Sequence, residues 1–362
     1  ELGKHPVLNN VALVKYVSEG GNLLVAVNEH VSDTVRLLAN EFDIEFDPKG
    51  TRVLDKEEDG TILTRQIIAP STIIDPSTQS DKKSSGVLYR GIGLLPGKSP
   101  FLHRVLISEK ETVSGDRYQA KDTSMVDLVA SFQTRASSRI SFSGSLALFS
   151  DALWEDVSSK KRENGDNGHG VNGNEAFVTE LTKWTFQEKS VLKITDHRHH
   201  KEDGFEALEW YRIKDSIVYV IEISEYKEDG KWVPYHANDV QLEVIMLDPY
   251  IRTTLKEEQT KDDQHHYGRF VGHVKLPDVY GVFTLKVNYK RPGLTYLLAE
   301  DVVAIRPFRH NEYPRFLTAA YPYYISVGSM IVGFLVFSIV WLSTWGNRNL
   351  SSSTSPSAKK SD

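Results

Sequence analysis

"VLNNVALVKYVSEGGNLLVAVNEHVSDTVRLLANEF", Val7 to Phe42, is the stretch whose pattern decides the fold. Val7, Val11, Val14 and Val17 recur at helical spacing behind Pro6, which predicts an amphipathic helix. Gly20-Gly21-Asn22 ends it. Leu23 to Val27 is a short, nearly continuous apolar run, the pattern of a strand covered on both faces. Ser32 or Asp33 then caps a second helix, with Val35, Leu38, Ala39 and Phe42 along one side. Helix, buried strand and helix in succession point to an open α/β sheet. The chain begins at Glu1, part-way through such a unit, so an earlier strand and a leading targeting signal are expected to precede it.

Later segments extend the same sheet. "GVLYRGIGLL" (Gly86 to Leu95) and "RISFSGSLALFSD" (Arg139 to Asp151) read as strands or strand-turn segments. Residues 155–173 are polar and rich in Gly and Asn, which predicts a mobile surface loop. Asn174 is placed as the cap of a helix burying Phe177, Val178, Leu181 and Trp184. The α/β domain is expected to cover 1–194. From about residue 195 the texture changes to β-rich runs, "SIVYVIEISEY", "DVQLEVIML", "GRFVGHVKL", "GVFTLKVNY" and "TYLLAEDVVAI", separated by turn signals. Their spacing predicts a β-sandwich domain over 195–308.

A juxtamembrane segment (309–323) leads to "YISVGSMIVGFLVFSIVWLSTW", Tyr324 to Trp345, which carries no charge. A helix of that length reaches about 33 Å, enough for a hydrocarbon core of about 30 Å. Tyr321, Tyr323 and Tyr324 flank one end and Trp341 and Trp345 the other, as interfacial rings do. The reading is a transmembrane helix at 324–345 with a tail at 346–362. Ser326, Ser329 and Gly333 fall on one face and are candidates for close helix packing, although small residues are also simply tolerated in single spans. Arg306, Arg309 and Arg315 before the span balance Arg348, Lys359 and Lys360 after it, so charge leaves the orientation open.

The composition narrows the chemistry. A net charge of -6 offers no basic footprint, so nucleic acid is not an expected partner. With no cysteine, disulfides, thiolate metal sites and a cysteine nucleophile are excluded from this chain. His197 and His199 in "DHRHH" would share one side of a strand and could begin a metal site, but Arg198 and Lys201 oppose a cation. The preferred reading is a solvated interdomain linker, and His265-His266 is read as a polar hairpin tip. Ser145 in "FSGSLALFSD" lacks the G-x-S-x-G spacing of a nucleophile elbow. No phosphate-binding loop, dinucleotide fingerprint or H-E-x-x-H occurs. No catalytic, cofactor-binding or metal residue is therefore assigned.

Taken in order, "GGNLLVAV", "GNEAFVTELTKWTFQEKSVLK", "DVQLEVIMLDPYIRTTL", "KLPDVYGVFTLKVNYKRPGLT", "EYPRF" and "AYPYYISVGSMIVGFLVFSIV" resemble the family of the 48-kDa subunit of the eukaryotic oligosaccharyltransferase. The resemblance covers nearly the whole chain, with departures at its beginning and at residues 155–173. It implies a luminal head, one span, a cytosolic tail and residence in the endoplasmic reticulum. It also implies a non-catalytic role, because sugar transfer belongs to a separate multi-span subunit whose W-W-D-Y-G is missing here. The first domain would be glutamine-amidotransferase-like. Implied partners are that catalytic subunit, a ribophorin II-like subunit, a small membrane subunit and the bilayer, with the lipid-linked oligosaccharide or nascent polypeptide as further contacts. Lys359 and Lys360 stand in a K-K-x-x arrangement that resembles a dilysine retrieval signal. The rival readings are a membrane-anchored hydrolase or amidotransferase-like enzyme and a glycan-binding module of the endoplasmic reticulum.

Overall fold

The computed structural model describes residues 9–54, 61–75, 86–108, 113–114, 125–154, 173–227, 230–258, 266–313, 315 and 317–351. The chain forms two compact units, Glu1–Arg306 and Pro307–Asp362.

The first unit opens with α1 (Asn10–Ser18), β1 (Leu23–Ala26), α2 (Asp33–Asn40) and β2 (Ile44–Phe46). Short strands β3 (Val53–Leu54), β4 (Ile62–Thr64), β5 (Gln66–Ile67), β6 (Val87–Tyr89) and β7 (Leu94–Pro96) follow. Next come β8 (Leu102–Ile107), β9 (Val113–Ser114), β10 (Asp127–Gln133), β11 (Arg139–Ser143) and helix α3 (Gly173–Thr185). Seven strands make one mixed sheet in the order β1-β11-β10-β7-β2, with β8 joining β10 to β5. The β1–β11 pair is parallel and its other pairs are antiparallel.

Local chemistry explains the helix starts. Asn9 accepts the Ala12 amide at 2.8 Å, and Ser32 accepts the Val35 amide at 3.4 Å. Leu38, Ala39 and Phe42 are buried as their spacing predicts. The α1 stripe differs from expectation. The helix begins after Asn9, and Val11 is 78% exposed. Leu13, Val14 and Val17 form the packed side, rotated from the valine series. Strand β1 also departs from the two-sided burial expected of LLVAV. It is half-buried and, among the described residues, bonds only to β11.

Strand β11 shows how the layers are built. Ile140 and Phe142 join the core beneath α1 and α2. The alternate residues face α3, where Ser141 Oγ lies 2.7 Å from Thr185 Oγ1 and Arg139 reaches the Trp184 carbonyl. Both faces are therefore covered, the apolar one by packing and the polar one by hydrogen bonds. Helix α3 buries Phe177, Val178, Leu181 and Trp184 as expected. Asn174, expected as its cap, instead lies within the first turn. Its side-chain amide accepts from Leu88 N at 2.7 Å and donates to Leu88 O at 2.8 Å, fastening the helix to β6. A buried amide that satisfies both its donor and acceptor in this way costs little to desolvate.

The chain then builds β12 (Val191–Lys201), β13 (Trp210–Arg212), β14 (Ser216–Tyr226), β15 (Trp232–Pro234), β16 (Gln241–Ile245) and β17 (Pro249–Thr254). It continues with β18 (Lys256–Glu258), β19 (Gly268–Lys275), β20 (Gly281–Tyr289) and β21 (Leu297–Arg306). These give two five-stranded sheets, β12-β14-β19-β18 with β15 on β14, and β13-β21-β20-β16-β17. Tyr219 of the first reaches Asp301 of the second at 3.3 Å. "DHRHH" is no linker. It is the second half of β12, paired in register with Glu222 to Val218 of β14.

The second unit contains α4 (Tyr321–Ser351), a single helix of 31 residues, about 46 Å long. The window from Thr318 to Trp345 is long and apolar enough to cross a membrane, and none of it is buried against protein. Pro322 sits in the first turn of this helix, where a missing amide proton costs nothing.

Candidate functional site

The residues singled out from sequence take separate places. Ser326 and Ser329 turn their hydroxyls back to the carbonyls of Tyr323 (3.0 Å) and Ser326 (2.8 Å). Nothing lies within 4 Å of a Cβ built at Gly333, so this side of α4 is smooth and open. Lys359 and Lys360 lie outside the described residues, as do residues 155–172 and His265. His197 and His199 do face one way on β12, but toward protein partners. His197 Nε2 lies 3.2 Å from Asp301, and His199 Nδ1 lies 2.7 Å from the Tyr211 hydroxyl. Burial lowers the His199 imidazole below its ordinary range, against an opposing pull from Asp301. Among the described residues no group of three could hold a metal ion. Ser145 donates to the Arg90 carbonyl at 2.6 Å and accepts the Leu148 amide, so its hydroxyl is committed to a turn.

What sequence reasoning missed is the seam between the seven-stranded sheet and the paired sheets. Arg291-Pro292-Gly293-Leu294 turns β20 into β21, with the Leu294 amide bonded to Arg291 O at 3.2 Å and φ of +77° at Gly293. Pro then Gly at the central positions is the signal of a type II turn. This turn is seated in the first sheet's side of the unit. Thr72 Oγ1 donates to Pro292 O (2.8 Å), Trp184 Nε1 to Gly293 O (2.8 Å) and Gln133 Nε2 to Leu294 O (2.6 Å). A Cβ at Gly293 would meet Thr72 Oγ1 at 2.2 Å, so the approach needs glycine in both space and φ.

Beneath the turn lies Arg139, fully buried. Its guanidinium donates to Trp184 O (2.8 Å), Lys189 O (2.8 Å) and Ser190 O (2.6 Å) and stacks 4.9 Å from the Trp184 ring. The Trp184 carbonyl belongs to the last turn of α3, where the helix dipole is negative and favours a cation, and the other two lie in the segment that follows the helix. Burial pushes this guanidinium down to about 9, so it stays charged at neutral pH.

Beside the seated turn runs a groove of about 400 Å³, bordered by Pro70 and Thr72, by the Tyr235–Asp239 segment and by Arg291. That volume lies within the range of small-ligand sites, about 300–1,000 Å³. Its floor is one connected network. Tyr289 donates to Asp239 Oδ1 at 2.8 Å and meets the Tyr235 hydroxyl at 2.9 Å. Arg291 Nε donates to Asp239 Oδ2 at 2.5 Å, its guanidinium 5.2 Å from the Tyr289 ring. Burial and then the bonds to Tyr235 and Asp239 raise the Tyr289 phenol, so it remains a donor at physiological pH. His236 is engaged by Glu257 at 2.5 Å. Each charge already has its opposite, which leaves hydroxyl, amide and ring surfaces to meet an uncharged polar ligand.

Comparison with known proteins adds a family. The model described as OST48, N-terminal domain, matches residues 1–188, and the OST48 middle domain matches 199–345. A Caenorhabditis elegans protein named dolichyl-diphosphooligosaccharide–protein glycosyltransferase 48 kDa subunit is 37% identical over 91% of this chain and 75% of its own length. Proteins of the same name from Danio rerio (34%, 92% of this chain, 76% of its own length) and Drosophila melanogaster (35%, 91% and 75%) match the same extent.

Proposed function

The chain belongs to the OST48 family, and from that membership we propose that it serves as a non-catalytic membrane subunit of an oligosaccharyltransferase. The observation that carries this reading is the ordered match through both family domains and into the apolar helix. In this reading the chain is a single-pass type I protein of the endoplasmic reticulum. Residues 1–194 and 195–308 act as luminal domains, 309–323 as the connector and 346–362 as the cytosolic tail. The parallel β1–β11 pair, with helices on both sheet faces, supports an amidotransferase-like ancestry for the first domain used as a scaffold. Lys359 and Lys360 would provide retrieval from the cytosolic side.

Ser326, Ser329 and Gly333 offer the close-approach face to neighbouring helices, since the two serine hydroxyls are satisfied within α4 and Gly333 carries no side chain. Partners would be the catalytic multi-span subunit, a ribophorin II-like subunit and a small membrane subunit, and the luminal surfaces would help present the lipid-linked oligosaccharide or nascent polypeptide. Mass spectrometry of what co-purifies with the intact chain in mild detergent tests the assignment. Recovery of transferase subunits is expected, and their absence defeats it. Gly333→Leu is expected to weaken that recovery several-fold without changing the melting of the soluble unit.

A second reading is favoured by the groove at Asp239. Its internally paired charges and tyrosine hydroxyls suit a neutral saccharide, making the head a glycan-binding module within the same complex. Titrating the detergent-solubilised chain with neutral oligosaccharides tests this. Binding lost in Asp239→Asn supports it, and no saturable response removes it while leaving the subunit assignment untouched.

A further inference from the structure

One end of the paired sheets carries large apolar side chains that nothing in its own unit covers. Phe205, in the β12–β13 loop, is 96% exposed, Leu247 in the β16–β17 turn 90%, and Tyr280 before β20 70%. Register places them together. Lys201, the last residue of β12, pairs with Ile217 near the start of β14, and Gly281 pairs with Ile305. A Cβ on Gly281 would lie 2.9 Å from Met246 Sδ, which puts the Leu247 turn beside Tyr280. Lys214 N reaches Pro277 O, and Ile213 N reaches Arg306 O at 3.0 Å. Three loop tips therefore project from the end at which β21 finishes.

We propose that this end of the paired sheets is a lipid-docking surface, with Phe205, Leu247 and Tyr280 inserted into the headgroup region of a bilayer. Isolated exposed leucines need no explanation, but three nearly bare large side chains on neighbouring loops do. Aromatic rings with an aliphatic neighbour suit the membrane–water boundary. Trp210, stacked 4.9 Å from the Arg306 guanidinium, adds an amphipathic ring on the adjoining outer face. The occupant is argued from the chain itself. By sequence, residues 307–320 join Arg306 to α4, a tether of at most about 50 Å, so a bilayer holding the helix is always within reach. Charge does not drive the contact. Lys201 is paired with Asp215 at 3.1 Å and Lys214 with Asp278 at 2.7 Å. The contact should therefore form on zwitterionic lipid and be insensitive to salt.

The chain contains no cysteine, so one introduced thiol reports from one place. Phe205→Cys, Leu247→Cys and Tyr280→Cys are made singly in the full chain, spin-labelled and placed in phosphatidylcholine nanodiscs. Lys231→Cys, in the β14–β15 hairpin at the opposite end, is the control. Collision with dissolved oxygen relative to a water-soluble nickel chelate should be several-fold higher at the three tips than at the control. Unchanged values in 0.1 and 0.5 M salt are expected as well. Water-like values at all three tips overturn the proposal. So does protection that arises only after other subunits are added, which would assign the surface to a protein partner. Because the labels sit on bare side chains, loss of folding is not expected, and a melting curve of each labelled chain verifies this.

Discussion

Strand β14 and helix α4 are both apolar, and they solve the same problem in opposite ways. In β14, Ile217 to Ser224 are buried without a break, pressed between neighbouring strands and the facing sheet. In α4 the window of comparable hydrophobicity is wholly exposed. Backbone bonding separates them. A strand must borrow its hydrogen bonds from neighbours, so its apolar side chains arrive already inside a protein core. A helix satisfies its own backbone and can offer every side chain to lipid. The comparison teaches that hydrophobicity alone does not say what the neighbour is; the hydrogen-bond ledger does.

Substitutions can break or sharpen this contrast. The largest effect is expected on the protein-covered side, at Arg139→Ala. It strands the carbonyls of Trp184, Lys189 and Ser190 and opens a cavity, costing on the order of 4 kcal/mol. Thermal or denaturant unfolding of the chain would show it, while membrane association should not change. The mirror experiment is Val336→Arg, at the middle of α4. It should cost about 3 kcal/mol of insertion. Alkaline carbonate would then release a measurable fraction from membranes, and the unfolding midpoint of the first unit would stay put.

Gly293→Ala tests the seam. Positive φ and the contact with Thr72 together predict a loss of about 1–3 kcal/mol, read as a lower denaturant midpoint. The smallest effect concerns pH. Burial holds the folded-state His199 pKa below that of the unfolded chain, so the unfolded state takes up the proton first. This histidine therefore costs no stability above about pH 6.5, and stability is lost as pH falls from there toward the folded pKa. His103 is shifted the same way by burial. His199→Gln should flatten, but not abolish, the fall in melting temperature between pH 7 and 5.

Much of the local structure was legible. Ser32 before an apolar stripe, the Phe177–Trp184 side of α3 and the uncharged run in α4 are signals contained within a few turns. Other features were not. "RISFS" alternates polar and apolar, which ordinarily means one face in water, yet all five residues of β11 are buried. The polar face is dry because α3 and the segment after it supply the Thr185 hydroxyl and the carbonyls of Trp184, Lys189 and Ser190. "DHRHH" looked like a solvated linker because five polar residues in a row give no core signal. Its partners, Asp301 and Tyr211, are recruited from strands that the histidines cannot announce. The groove was hidden for the same reason, although Pro292-Gly293 did mark the turn that borders it.

By itself, the sequence determined the uncharged apolar run of α4, the Ser32 cap of α2 and the apolar stripes of α2 and α3. Those follow from residues close together in the chain, where period and capping act without reference to anything distant. Only the tertiary structure decided which charges are buried, which strand edge His197 and His199 face, and where the Arg291–Leu294 turn is seated. Those outcomes depend on partners from other strands and helices, from 12 residues away for His199 and Tyr211 to 220 for Thr72 and Pro292, and a side chain's free energy is set by the neighbour that finally replaces its water.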